Sequence, residues 1–153
     1  MKKYILIIIA TLALASCDIE TSDNGKLDGY WHLERVDTLA TGGTADYSGQ
    51  LAFWGAQYHL IALKDQGATG HQRFYLRFQQ TADSLNITRA YEDHWHEDNQ
   101  QEDVGGDIPV EEANDNLRFY GINALPEGFA KERLDGSRMV LRSKTLRLTF
   151  RKF

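Results

Sequence analysis

From residue 29 onward, apolar and polar side chains alternate with a period of two, the spacing that sends successive side chains to opposite faces of an extended strand. One run sets Phe74, Leu76 and Phe78 against Arg73, Tyr75, Arg77 and Gln79, and the last sets Leu146, Leu148 and Phe150 against Arg147, Thr149 and Arg151. Each such run has a dry face and a wet one. The pattern predicts nine strands, over residues 29–37, 50–54, 57–64, 73–80, 84–91, 117–122, 129–134, 138–142 and 145–152. Asp135-Gly136 is a hairpin signal between two of them, and residues 64–70 supply a second glycine-containing turn. No run of ten or more residues has a helical period, although residues 126–134 also fit a short helix.

Strands that follow one another so closely favour an antiparallel meander. An open meander leaves two unpaired edges, and closure removes them. The expected fold is therefore all-β, an eight- or nine-stranded antiparallel up-and-down barrel. An eight-stranded interior is just wide enough to be filled by side chains or to hold one small ligand. The sequence leaves both possibilities open.

The first 28 residues follow a different pattern. Lys2 and Lys3 precede an apolar stretch from Tyr4 to Ala15, and the only cysteine is Cys17. That is the layout of a secretory signal, and the apolar stretch is shorter than the ~20 residues a membrane-spanning helix needs. Leu14-Ala15-Ser16-Cys17 resembles the lipobox of bacterial lipoproteins. The resemblance implies cleavage after residue 16, acylation of Cys17 and anchoring to membrane lipid in the cell envelope, with the outer membrane the favoured location. Residues 17–28 would then form the lipidated cysteine and a flexible tether, and residues 29–153 one domain. An acylated cysteine leaves no disulfide within the mature chain, so stability has to come from packing.

The chain carries a formal net charge of −5, and that average hides two unlike regions. Residues 92–116 hold ten of the 22 acidic side chains and none of the 17 basic ones. This stretch reads as an acidic loop. The basic residues are spread singly along strands, which argues against a nucleic-acid-binding face.

At the start of the first strand stands Gly29-Tyr30-Trp31. Gly-x-Trp at this place, with the strand number and the domain length, resembles the opening of the lipocalin and wider calycin barrels. The resemblance implies a tryptophan packed across the barrel base with an arginine of the last strand over its ring, here Trp31 and Arg151. It also implies a small apolar or amphipathic ligand in the barrel. Candidate cavity residues are Phe53, Tyr58, Phe74, Leu76, Phe78, Arg89, Tyr91 and Phe119. Arg89 and Tyr91 enter because alternation from Leu85 and Ile87 puts them on the inner face, where a guanidinium would pair with a carboxylate. Equally, Arg89 at a strand end can reach water, and the aromatic residues can fill the barrel as easily as line it.

No catalytic residues emerge. The chain has no Gly-x-Ser-x-Gly elbow, phosphate-cradling glycine loop or His-Glu-x-x-His helix, and His32, His59 and His71 are scattered. His94 and His96 lie among carboxylates, but alternate residues of one loop are not preorganised as metal ligands, and no cofactor is implied. The alternative to a ligand carrier is a non-catalytic module with a filled core that meets a protein or glycan partner.

Overall fold

The computed structural model describes residues 22–94 and 106–153. Cys17, His96 and the acidic residues from Glu97 to Asp103 lie outside the described residues. Among these residues there are ten strands: β1 (Gly29–Thr38), β2 (Gly43–Asp46), β3 (Ala52–Gln57), β4 (Leu60–Asp65), β5 (Phe74–Gln80), β6 (Ser84–Glu92), β7 (Ile108–Val110), β8 (Glu127–Leu134), β9 (Arg138–Arg142) and β10 (Leu146–Lys152). Eight of them, β1, β3, β4, β5, β6, β8, β9 and β10, pair antiparallel in that order, and β10 pairs back onto β1. The sheet is thus a closed eight-stranded barrel with two further strands, as the alternating pattern predicts.

The two extra strands share partners. β3 pairs with residues 29–32 of β1 and β2 with residues 35–38. Likewise β8 pairs with residues 84–87 of β6 and β7 with residues 90–92. Each long strand serves two neighbours on one edge, so neither short strand interrupts the ring.

The segment expected as a strand at residues 117–122 is instead a helical turn, α1 (Asp115–Phe119). Its ends explain the difference. The Asn114 side chain accepts the Leu117 N–H at 2.9 Å, an N-cap. At the other end the Gly121 and Ile122 N–H groups donate to the carbonyls of Arg118 and Leu117, with Gly121 at φ +85°, a left-handed helix stop. A Cβ on Gly121 would also stand 2.8 Å from the Leu148 side chain. The second alternative, a helix over residues 126–134, gives way to β8.

Residues 22–28, within the segment read as a tether, pack against the barrel. A 3-10 turn at Gly25–Leu27 buries Leu27, and Asn24 is buried with its amide on the Tyr58 carbonyl and the Asp28 carboxylate. This turn closes one end of the barrel, and α1 closes the other.

Candidate functional site

Three bulged positions set which side chains face inward. On β1, Glu34 is the extra residue against β10, and on β8, Glu132 is the extra residue against β9. On β6, Arg89 pairs with Arg77 while Ile87 pairs with Phe78, which leaves Thr88 unpaired. The extra residue at Thr88 reverses the alternation. Leu85 and Ile87 face inward as expected, but beyond Thr88 the inward residue is Ala90, and Arg89 and Tyr91 face out.

The barrel interior is packed. Trp31, Leu33, Ile61, Leu63, Phe74, Leu76, Leu85, Ile87, Leu148 and Phe150 have no accessible surface at all, so no water-sized space touches them. At the base, Trp31 donates its indole N–H to the Leu27 carbonyl at 2.7 Å. At the far end, Leu117, Phe119, Tyr120 and Ile122 come in from α1 and its exit, and Trp54 donates to the Tyr120 carbonyl at 3.0 Å. Burial pushes the Tyr120 phenol well above its ordinary value.

Of the candidate cavity residues, Phe74, Leu76 and Phe78 lie inside and fill space there. Phe53 is buried on the outer wall, stacked between Tyr30 and His32 at centroid distances of 4.7 and 4.8 Å. Tyr58 is in the exposed β3–β4 turn. Phe119 lies in α1 against His71, with ring centroids 3.6 Å apart. The expected set therefore does not converge on one cavity.

The base contact also differs. Arg151 stands opposite His32 on the outer face, where it donates to Glu34, and the cation over Trp31 is Lys152. Its ammonium lies 5.0 Å from the ring centroid and donates to the Asp28 carbonyl at 2.6 Å. Directly opposite residues share a face, and Trp31 is opposite Lys152. Gly29 makes this possible, because a Cβ there would meet the Lys152 stem at 2.5 Å.

The clefts lie on the outer wall. One row of outward positions runs across six strands from Tyr30 through Gly55, Ala62, Tyr75 and Tyr91 to Pro109. A cleft of about 580 Å³ is lined by Leu60, Arg73, Tyr75, Arg77, Tyr91, Asp93 and Asp107. A second, of about 490 Å³, takes in Arg89, Tyr91, Pro109 and Glu111, so Tyr91 borders both. Burial raises the Tyr75 phenol, and the carboxylates of Asp93 and Asp107 raise it further. Arg73 and Asp93 form an ion pair at 3.1 Å. Sequence reasoning placed Tyr91 and Arg89 inside and missed the remaining cleft residues; the wet face of residues 73–80 was the available signal for them. His94, one half of the histidine pair considered for a metal, has a buried Nδ1 without a hydrogen-bond partner, and His96 is outside the described residues. Among the described residues no three His, Cys, Asp or Glu side chains converge as a metal site would require.

Comparison with solved structures finds the same fold. A lipocalin-like protein from Bacteroides uniformis superposes with a TM-score of 0.59 at 19% identity, over 84% of this chain and 100% of that one. An uncharacterized protein from Bacteroides eggerthii gives 0.51 at 16% identity, over 82% and 98%. No curated protein matches. The family model described as a lipocalin-like domain matches residues 12–153, nearly the whole chain, and the protein belongs to that lipocalin-like family.

Proposed function

We propose that this is a lipid-anchored, non-catalytic binding protein of the bacterial cell envelope, in which the barrel is a filled scaffold and recognition takes place on its outer wall. The observation that carries the reading is the packed interior. A ligand pocket of a few hundred Å³ would leave its lining side chains in contact with open space, whereas those from Trp31 to Phe150 touch none. An apolar molecule inside the barrel would have to displace the side chains of α1 and its exit, which hold one end by hydrogen bonds from Trp54 and Tyr120. Concave surface is available outside without any rearrangement.

The lipobox at residues 14–17 and the signal-like residues 1–16 support anchoring through acylated Cys17. Multiple acyl chains make such an anchor durable, since each buried methylene contributes about 0.8 kcal/mol. Cys17→Ser should abolish palmitate incorporation in the bacterium, and continued labelling would overturn the anchor.

Native mass spectrometry of the full-length protein extracted in mild detergent tests the filled scaffold. The expected mass is that of the acylated chain alone. An apolar molecule retained at one per chain after detergent removal would restore the barrel as the ligand site.

A further inference from the structure

Arginine pairing in this barrel is nearly complete. Eight of the ten arginines form ion pairs with Asp or Glu. Among the described residues Arg77 and Arg89 form no close ion pair, although Arg89 donates to the Tyr91 hydroxyl and feels the Glu111 carboxylate, and the two stand directly opposite each other on the outer wall of β5 and β6. Like charges at opposite positions, with Cβ atoms about 5 Å apart, destabilise a sheet. A second opposed pair in the same barrel shows how the repulsion is relieved. Arg142 and Arg147 are also directly opposite, and the Glu132 carboxylate bridges them. Among the described residues no carboxylate bridges Arg77 and Arg89 as Glu132 bridges their counterparts.

The Thr88 bulge creates this arrangement. By turning Arg89 out of the barrel it sets that residue against Arg77, and the Thr88 hydroxyl fastens the bulge by donating to the Arg77 carbonyl at 3.2 Å. Both arginines are exposed, Arg77 lining the first cleft and Arg89 the second, and Tyr91 borders both.

Building on recognition at the outer wall, we propose that the clefts on β4 to β7 bind an acidic saccharide whose oxyanion lies between Arg77 and Arg89, in the role Glu132 plays between Arg142 and Arg147. Two guanidinium forks match the paired oxygens of a carboxylate or sulfate. The other surroundings fit a hydroxylated ring. Tyr75 and Tyr91 stand side by side as aromatic partners for its C–H groups, and Asp93 and Asp107 at the far end accept from its hydroxyls. Among the described residues Leu60 is the one aliphatic side chain lining the larger cleft, so an acyl chain or an apolar peptide anchor finds little there. The volume falls within the ~300–1,000 Å³ typical of small-ligand sites.

The test is isothermal titration of the full-length protein, in detergent at pH 7 and low salt, with trigalacturonate and with a sulfated disaccharide. At least one should bind saturably, while neutral maltotriose, a glutamate-rich peptide and phosphatidylglycerol vesicles should not. Arg77→Gln and Arg89→Gln should each weaken binding about tenfold or more, Arg133→Gln should leave it unchanged, and Tyr91→Ala should weaken it. Because the opposed charges repel, Arg89→Gln should keep or raise the melting temperature, which separates lost binding from lost folding. Binding of neither acidic sugar, equal binding of maltotriose, or preference for the peptide or the vesicles would overturn the proposal, as would a melting temperature several degrees lower in Arg89→Gln. Failure here with a lipid-free barrel overturns the ligand class alone. A lipid-filled barrel with intact sugar binding overturns the filled-scaffold reading alone.

Discussion

Glu34 shows how much one residue can organise on the outside of a barrel. It is the bulged residue of β1, and its two carboxylate oxygens take Arg151 and Arg138, each at 2.6 Å, which ties the first strand to the last two. Partial burial pushes the carboxyl up, but the hydrogen bonds and charges of the two guanidinium groups outweigh it and hold the group below its ordinary value. Asp37 is lowered in the same way, by Thr44 and Arg35 against a desolvation that raises it. A carboxyl whose folded value lies below its unfolded one contributes stability that is complete above the unfolded value, about 4.3 for Glu, and is lost as pH falls through the folded value. The urea midpoint should therefore drop as pH is lowered from about 5 to 3. Glu34→Gln should lower the midpoint at pH 7 and flatten that dependence. An unchanged slope in the variant would show that Glu34 is not one of the groups responsible.

At the level of elements, the bulge on β6 decides more than any propensity. Deleting Thr88 would remove the extra residue and leave a regular ladder in which Ile87 and Ala90 still face in and Arg89 and Tyr91 still face out. No guanidinium is driven inward, so the deletion should leave the barrel folded and cost about 1 kcal/mol, well short of the several kcal/mol that burying an unpaired charge would take. Thr88→Ala keeps the residue count and removes only the hydroxyl bond to Arg77, a loss of about 1 kcal/mol. A loss of several kcal/mol for the deletion in chemical denaturation would refute this reading, because it would show that Arg89 or Tyr91 had been turned inward. α1 is the converse case, a local signal overlooked in favour of a pattern. Asn114 at the start and Gly121 past the end are helix cap and helix stop, but six residues of mixed apolar character are too few for a period to outweigh a strand reading.

For the molecule as a whole, closure depends on both plugs as well as on the ring of strands. A chain begun at residue 22 keeps Leu27 beneath Trp31, and one begun at Gly29 removes it together with the acceptor of the indole N–H. By analogy with large-to-small core changes, the shorter chain should be less stable by about 2 to 5 kcal/mol in urea titrations followed by tryptophan fluorescence. Equal midpoints would show that residues 22–28 are an appended tether and not part of the fold. The eight-membered ring itself was legible, because every barrel strand has its limits within three residues of an alternating run. β2 and β7 were not, since each pairs with only half of a longer strand and has too few residues to show a period.

What the sequence determined by itself is the composition of each strand face, and with it the closed antiparallel barrel. Alternation is a property of neighbours in the chain. The same alternation in the last strand, with Leu146, Leu148 and Phe150 inside, already placed Lys152 and not Arg151 on the side of Trp31. Only the tertiary structure decided where the alternation reverses, because a bulge is a mismatch in count between two strands and is visible only when they are paired. That mismatch turned Arg89 from an expected cavity residue into an outward one directly opposite Arg77. Whether the interior was full or empty was likewise settled by three-dimensional packing, as side chains from eight strands and two plugs met in one volume.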